Sequence, residues 1–310
     1  MMSWISNRQR SRLFAARLCR LARPRMVAGL IWGFAIPLLF AACEKPLIPD
    51  TAGNCRLSFS IASGTPSTRG NVNIGDYFSK LNVMLFDDEG NKVLDKVYAQ
   101  TSDDDGFGSP SFALSEGSYW VVAVGHSSKR AATIKSTQAV QFTAQDGEKL
   151  TDTFSYCGEI DVSEEPEQHS LTMDRASAMF RVVLTDSVIP SNCTHIKFDY
   201  KGGSANFNPS TLQGITKSTQ SELRAVSGDT YQVYTFPYMA TEGLLQITVS
   251  ALDANGVVLV KREFKDVPIT RNRITTYRGE VFGDGGGEIT QTEFGFTVNG
   301  EWEGEDIYEF

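Results

Sequence analysis

The chain has 310 residues, with 37 acidic and 29 basic side chains and a formal net charge of −8 at pH 7. All 37 acidic residues follow residue 42, whereas 7 of the 29 basic residues precede it, so the part after residue 42 keeps 22 basic residues and a net charge of −15. Such an acidic surface repels phosphate backbones, which argues against nucleic acid as a partner. The 268 residues after position 42 suffice for two domains of ordinary size.

The first 42 residues have the order of a bacterial lipoprotein signal peptide. Seven arginines without an acid precede an apolar run at residues 26–42, and Ala41-Ala42-Cys43 follows directly. The two small residues allow a signal peptidase to close around the chain, and the thiol of Cys43 can accept a diacylglyceryl group. We therefore predict that residues 1–42 are removed and that the mature protein begins at a lipidated Cys43.

A transmembrane helix is the alternative interpretation of the apolar run. The run has 17 residues, at the short limit of the roughly 17 to 25 that span a membrane, and it contains Gly29, Gly33 and Pro37. A lipoprotein cysteine usually carries three acyl chains, which hold far more firmly than one. The sequence thus predicts attachment to a membrane outside the cytoplasm through a tether at residues 43–54, with the start codon left open between Met1 and Met26.

The rest of the chain shows the alternation of apolar and polar residues that is typical of strands. Leu57, Phe59 and Ile61 fall on one face of the first strand, and residues 119–125 are apolar enough for a central strand buried on both faces. Strands are predicted at residues 55–61, 80–86, 92–98, 111–114, 119–125, 139–142, 152–156, 169–173, 179–185, 195–200, 231–238, 244–252, 257–264, 273–282 and 293–298.

The connections predict antiparallel neighbours. Glycine-bearing loops at residues 87–91, 115–117 and 253–256 have the length of hairpin loops, and the sequence after residue 42 has no helical periodicity of useful length. Short strands joined by hairpins favour an all-β fold of two tandem antiparallel β-sandwich domains. We predict an amino-terminal sandwich at residues 55–174 and a carboxy-terminal sandwich at residues 175–310, with the glycine-rich stretch 283–287 as a flexible hinge.

The sequence offers little for catalysis or for metal binding. The three histidines, His126, His169 and His195, are scattered without a partner at metal-ligand spacing, and no Gly-x-Ser-x-Gly motif occurs. We therefore expect neither an enzyme nor a cofactor. A single disulfide among the remaining cysteines and a set of buried free thiols both stay open; these cysteines are Cys55, Cys157 and Cys193.

A set of segments in fixed order resembles the fimbrillin-like proteins, in particular the fimbrillin-A-associated anchor proteins of anaerobic bacteria. No single segment is diagnostic, but together they cover most of the chain after residue 42. They are the lipidation motif ending at Cys43 and residues 56–61, 81–90, 117–125, 171–180, 235–238 and 273–282.

The resemblance implies a fimbrial component that is exported as a lipoprotein to the cell outer membrane, with transthyretin-like sandwiches. It also implies association with other fimbrial subunits by β-augmentation, in which a sheet edge accepts a strand from a neighbour. In the family's polymerising subunits, proteolysis after an arginine removes the first strand, and Arg69 matches that position; a plain loop arginine is the alternative. The candidate donor strand carries Phe294, Phe296 and Val298, which would otherwise complete their own sheet.

The sequence leaves two questions open. The sequence does not separate anchor, shaft and tip roles. A surface lipoprotein that captures glycans on exposed rings is the alternative function, with Trp120, Trp302 and Tyr308 as candidate stacking residues.

Overall fold

The computed structural model describes residues 54–61, 73–143, 150–283 and 302–310, which belong to one compact unit, Asp50–Phe310. These residues form strands and two short 3-10 helices, which confirms the predicted all-β class. Among the described residues, no helix has the length and apolar character that crossing a membrane requires.

The amino-terminal half is built around one seven-stranded sheet. Its elements are β1 (Cys55–Ile61), a 3-10 helix (Ile74–Asp76), β2 (Lys80–Phe86), β3 (Tyr98–Thr101), β4 (Ser111–Phe112), β5 (Gly117–His126), β6 (Thr133–Ser136), β7 (Ala139–Gln141), β8 (Phe154–Val162) and β9 (Glu167–Arg175). The strand order is β3-β2-β5-β8-β9-β1-β4. One core cluster takes buried residues from both ends of this sheet, among them Leu57, Val83 and Val121.

The carboxy-terminal half is a sandwich of two four-stranded sheets. Its elements are β10 (Ala178–Leu184), β11 (His195–Lys201), β12 (Asn206–Asn208), β13 (Gln213–Gly214), β14 (Thr219–Ala225), β15 (Thr230–Thr235), a 3-10 helix (Met239–Thr241), β16 (Leu244–Leu252), β17 (Val258–Pro268), β18 (Arg273–Gly279) and β19 (Gly304–Glu309). The sheets have the orders β15-β10-β18-β19 and β14-β11-β16-β17. A second core cluster includes Phe180, Phe198 and Phe264.

A fourth sheet, of order β13-β12-β7-β6, joins the two halves. Phe207 of β12 pairs with Val140 of β7, and both side chains are buried in a third core cluster with Val122 and Val124 of β5. This sheet explains why β5 is buried on both faces, as the sequence predicted. Independent folding of residues 55–174 and 175–310 stays a prediction.

The sheets are mixed rather than purely antiparallel. The pairs β1–β9, β10–β18 and β18–β19 are parallel, whereas the other strand pairs in the described residues are antiparallel. The period of two in a strand specifies which face is buried but not which direction the neighbouring strand runs. Only hairpin loops indicated direction in the sequence, and none of the parallel pairs is joined by one.

Two of the predicted hairpins differ from the structure. β2 pairs with β3 at Tyr98–Thr101, and an isolated bridge joins Phe86 to Lys92. Between these points Leu94 and Val97 pack against the core clusters, and residues 92–98 form no continuous strand. β4 pairs with β1 and not with β5. The hairpin of β16 and β17 around residues 253–256 is confirmed.

Candidate functional site at the terminal strands

The described residues contain no group of three or more His, Cys, Asp or Glu side chains that could hold a metal ion. His126 is fully buried, its Nε2 lies 2.9 Å from Oδ1 of Asn82, and its Nδ1 accepts a hydrogen bond of 3.0 Å from the amide of Ser128. Burial, with a smaller effect of the Lys80 charge, lowers the pKa of His126 to about 3. This histidine is therefore neutral at physiological pH and serves the packing of the core.

The three cysteines of the described chain are free thiols. Cys55 and Cys193 are buried, and Cys157 is half-buried. Burial, with the nearby Glu167 charge, raises the pKa of Cys55 to about 11, so its thiol stays protonated at neutral pH. Of the two possibilities that the sequence left open, the structure shows the free thiols.

The first strand, β1, lies inside its sheet. It runs parallel to β9 over its whole length, and Leu57 and Phe59 donate backbone hydrogen bonds to Pro110 (2.9 Å) and Gly108 (3.0 Å) on the other side. Its alternate side chains point into the core, where Cys55 and Leu57 have no exposed surface. Because β1 is bonded on both sides, its removal would open a slot seven residues long.

A row of hydroxyl groups lines the outer face of β1. Oγ of Ser58 lies 3.3 Å from Oγ of Ser170, and Oγ of Ser60 lies 3.2 Å from Oγ1 of Thr172. These contacts link β1 to β9 on the face away from the core. The hydroxyl contacts and the buried face therefore both hold β1 in its sheet. Arg69 lies outside the described residues.

The last strand, β19, lies at the edge of its sheet and runs parallel to β18. Two ion pairs hold its first half: Nη1 of Arg181 lies 3.0 Å from Oε1 of Glu305, and Nη2 of Arg273 lies 2.8 Å from Oδ1 of Asp306. The hydroxyl of Thr276 also donates to Glu305. Charged side chains on β10, β18 and β19 thus fix the register.

Aromatic rings hold the second half of β19. The ring of Tyr308 stacks on Tyr277 with centroids 4.7 Å apart and an angle of 22° between the planes. Phe310, just after the strand, meets Phe264 edge-on at 5.0 Å. The carboxy-terminal residues therefore complete the sheet of their own chain.

The structure describes the end of the carboxy-terminal segment but not the predicted donor residues. Phe294, Phe296 and Val298 lie outside the described residues, as does Cys43, so these predictions are not tested. The observed strand at Gly304–Glu309 was missed by the sequence analysis. In the sequence, only the alternation of Tyr308 and Phe310 indicated this strand. The two earlier positions on the same face, Gly304 and Asp306, are not hydrophobic.

The rings proposed for glycan stacking each contact neighbours within the protein. Trp120 packs against the third core cluster, and Tyr308 stacks on Tyr277. Trp302 lies over the guanidinium group of Arg175, 3.8 Å from ring centroid to Cζ. These three residues are thus engaged in packing rather than presented as a shared platform.

Comparisons with solved structures find folds of low overall similarity. A DUF1812 protein from Bacteroides thetaiotaomicron has a TM-score of 0.45 at 8% identity, with 67% of this chain and 78% of that chain covered. The fimbrial anchor protein Mfa2 from Porphyromonas gingivalis has a TM-score of 0.39 at 13% identity, covering 67% and 80%. The tip fimbrial protein Mfa3 from the same organism has a TM-score of 0.37 at 12% identity, covering 67% and 90%.

The family comparison covers nearly all of the chain after Cys43. No curated protein sequence matches the chain. The family described as fimbrillin-A associated anchor proteins Mfa1 and Mfa2 matches residues 44–308. The chain therefore belongs to the fimbrillin-A associated anchor protein family and is a structural component of fimbriae at the cell surface.

Proposed function

We propose that this chain is a lipid-held anchor of a fimbria in the outer membrane. The observation that carries the proposal is the position of the family match, which begins at residue 44, directly after the cysteine that the sequence marks for lipidation. Three acyl chains on Cys43 would supply attachment that is effectively permanent. The basic residues before the cysteine would leave with the signal peptide.

The length of the tether favours an anchor role over a tip role. Eleven residues lie between Cys43 and the start of β1 at Cys55. A chain of that length spans at most about 40 Å when fully extended. The folded part would therefore stay close to the membrane for as long as the cysteine keeps its lipid.

The position of β1 favours a chain that stays uncut at Arg69. Cleavage there would separate the lipidated cysteine and β1 from the remainder of the covalent chain. Because Leu57 is buried in the core, loss of β1 would expose a large apolar slot. An anchor gains nothing from that slot unless a partner strand fills it.

We further propose that other fimbrial subunits associate with this chain by β-augmentation. In this mode, a partner strand gains main-chain hydrogen bonds along a sheet edge and pockets for alternate side chains. The segment with Phe294, Phe296 and Val298 is the proposed donor, and it precedes a strand, β19, that is already placed at an edge. Glycan capture finds no comparable support among the described residues, since its candidate rings are engaged in packing.

Lipidation is tested by replacing Cys43 with serine in the full chain, expressed in a fimbriated host. We expect the variant to lose labelled palmitate and to leave the membrane fraction. Cys19→Ser is the matched control, because Cys19 lies within the predicted signal peptide and should leave attachment unchanged. Membrane retention of the Cys43→Ser protein with its palmitate label intact would refute the lipid anchor. A measured mass of the mature protein that matches a chain starting at Gly70 would refute the proposal that the chain stays uncut.

Strand donation is tested with a photo-crosslinking amino acid at position 296. We expect adducts between this chain and another fimbrial subunit in cells that assemble fimbriae. The control position is Val188, whose side chain is 74% exposed in a loop of the carboxy-terminal half. Crosslinks from position 296 that stay within the chain would show self-completion and would count against donation.

A further inference from the structure

Arg175, the last residue of β9, is held between two aromatic rings. Its side chain is 5% exposed, and its Cζ lies 4.6 Å from the ring centroid of Phe154 and 3.8 Å from that of Trp302. Phe154 belongs to the amino-terminal core, whereas Trp302 lies two residues before β19. The guanidinium group therefore joins the carboxy-terminal segment to the other half of the molecule.

Hydrogen bonds fix the orientation of this guanidinium group. Its Nε donates to both carboxylate oxygens of Asp152, at 2.9 and 3.1 Å, and its Nη1 donates to Oδ1 of Asn272 at 2.8 Å. The backbone amide of Glu303 donates to the carbonyl of Asn272 at 2.9 Å. The loop before β18 thus holds both Arg175 and the residue next to Trp302.

The ring of Trp302 covers the buried guanidinium group of an ion pair whose carboxylate, Asp152, is about one-fifth exposed. A cation over an aromatic face is stabilised more strongly when water is excluded, and a buried charge is costly when its partners are lost. Moving Trp302 away would expose the guanidinium group of Arg175 to water. The start of β19 is therefore fastened by a contact that lies outside its own sheet.

We propose that Arg175 and Trp302 form a clasp that keeps β19 on the edge of β18, and that its opening frees this edge for an extended acidic segment of a second fimbrial subunit. The inference rests on the proposed assembly by β-augmentation and names the edge and the chemistry of its occupant. With the clasp closed, the chain caps its own sheet.

The residues around β19 define what else could bind there. Without β19, Arg181 and Arg273 would lose the carboxylates that pair with them. A replacement strand therefore needs acidic residues where Glu305 and Asp306 lie now. A Cβ at Gly304 would lie 2.8 Å from Nη1 of Arg273, so a larger residue there requires the guanidinium group to shift. The stacking position on Tyr277 calls for an aromatic ring two residues after the second acid.

Hydrogen exchange in the full mature chain tests the clasp. We expect Trp302→Ala to accelerate exchange of the Gly304–Glu309 amides about tenfold, because loss of the cation–π contact favours local opening. Trp302→Phe keeps a ring over Arg175 and should restore most of the protection. Ile307→Ala is the matched control, since that side chain is 41% exposed on β19 and lies outside the clasp.

A peptide with the sequence of residues 302–310 tests the freed edge. The Trp302→Ala protein should capture the labelled peptide, whereas the wild type should not. A peptide with lysine at the positions of Glu305 and Asp306 should not be captured, because it would face Arg181 and Arg273. Equal capture of both peptides would overturn the proposed edge chemistry.

Equal exchange of the β19 amides in wild type and Trp302→Ala would overturn the clasp. Trp302→Leu, which keeps apolar volume but has no ring, is the second variant if the alanine protein does not fold, and protection of the β2 and β5 amides reports an intact amino-terminal half. These measurements use purified protein. If the exchange measurement overturns the clasp, the proposed fimbrial role is unaffected. If position 296 gives no adducts with another subunit, that result counts against strand donation and leaves the clasp unaffected.

Discussion

The two terminal strands share a topology but are fastened in different ways. β1 and β19 each run parallel to a strand of their own half, β9 and β18 respectively. β1 lies within its sheet and buries apolar side chains, whereas β19 lies at an edge and is held by ion pairs and stacked rings. We therefore expect β19 to leave its sheet at a lower cost than β1.

The largest expected effect comes from the buried side of β1. Leu57→Ala should lower the free energy of unfolding by about 3 to 5 kcal/mol, because it leaves a cavity in a core where Leu57 has no exposed surface. Ser60→Ala, on the exposed face, should cost about 0.5 kcal/mol, the modest net value of one hydrogen bond at a solvated site. Urea unfolding of both variants measures the difference, and equal losses would show that β1 is not fastened through its apolar face.

A smaller effect is expected from the rings that hold β19. Tyr308→Ala should cost about 2 kcal/mol, since it removes both apolar contact and the stack on Tyr277. Ile307→Ala, on the exposed face, should stay within about 0.5 kcal/mol of wild type. Thermal unfolding checks the pair. A Tyr308 variant that is destabilised as much as Leu57→Ala would break the contrast between the two strands.

The smallest effect is expected from the ion pair at the start of β19. Asp306→Asn should cost about 1 kcal/mol at low ionic strength and less in high salt, because Asp306 and Arg273 remain about one-fifth exposed and their attraction is partly screened. Glu309→Gln is the control, as this exposed acid has no ion pair among the described residues. Unfolding curves at two salt concentrations should separate the variants, and a salt-independent loss would contradict a screened ion pair.

The same contrast explains what the sequence could predict. β1 was predicted with its observed bounds, because apolar residues alternate with polar ones along it. β19 was missed because a glycine and an ion-paired acid, Gly304 and Asp306, occupy the inward positions that hydrophobic residues usually fill. Its partners, Arg181 and Arg273, are distant in the chain, so no local pattern could reveal the pairing.

The candidate site was predicted only in part, for a similar physical reason. Alternation identified β1 but neither β19 nor the parallel directions, which depend on long connections. The Arg175–Trp302 contact joins residues 127 positions apart and requires the folded loop at Asn272 to bring them together. The sequence placed a domain boundary at residue 175 without indicating that this residue binds the carboxy-terminal segment.

In the proposed role, this family member stays with the cell as a lipid-held anchor. Immunogold labelling against the folded part, applied to cell envelopes and to sheared fimbriae from the same culture, tests it most directly. For an anchor, we expect label on the envelope at the bases of fimbriae and little on the sheared filaments. Label distributed along the sheared filaments, or at their free tips, would contradict it.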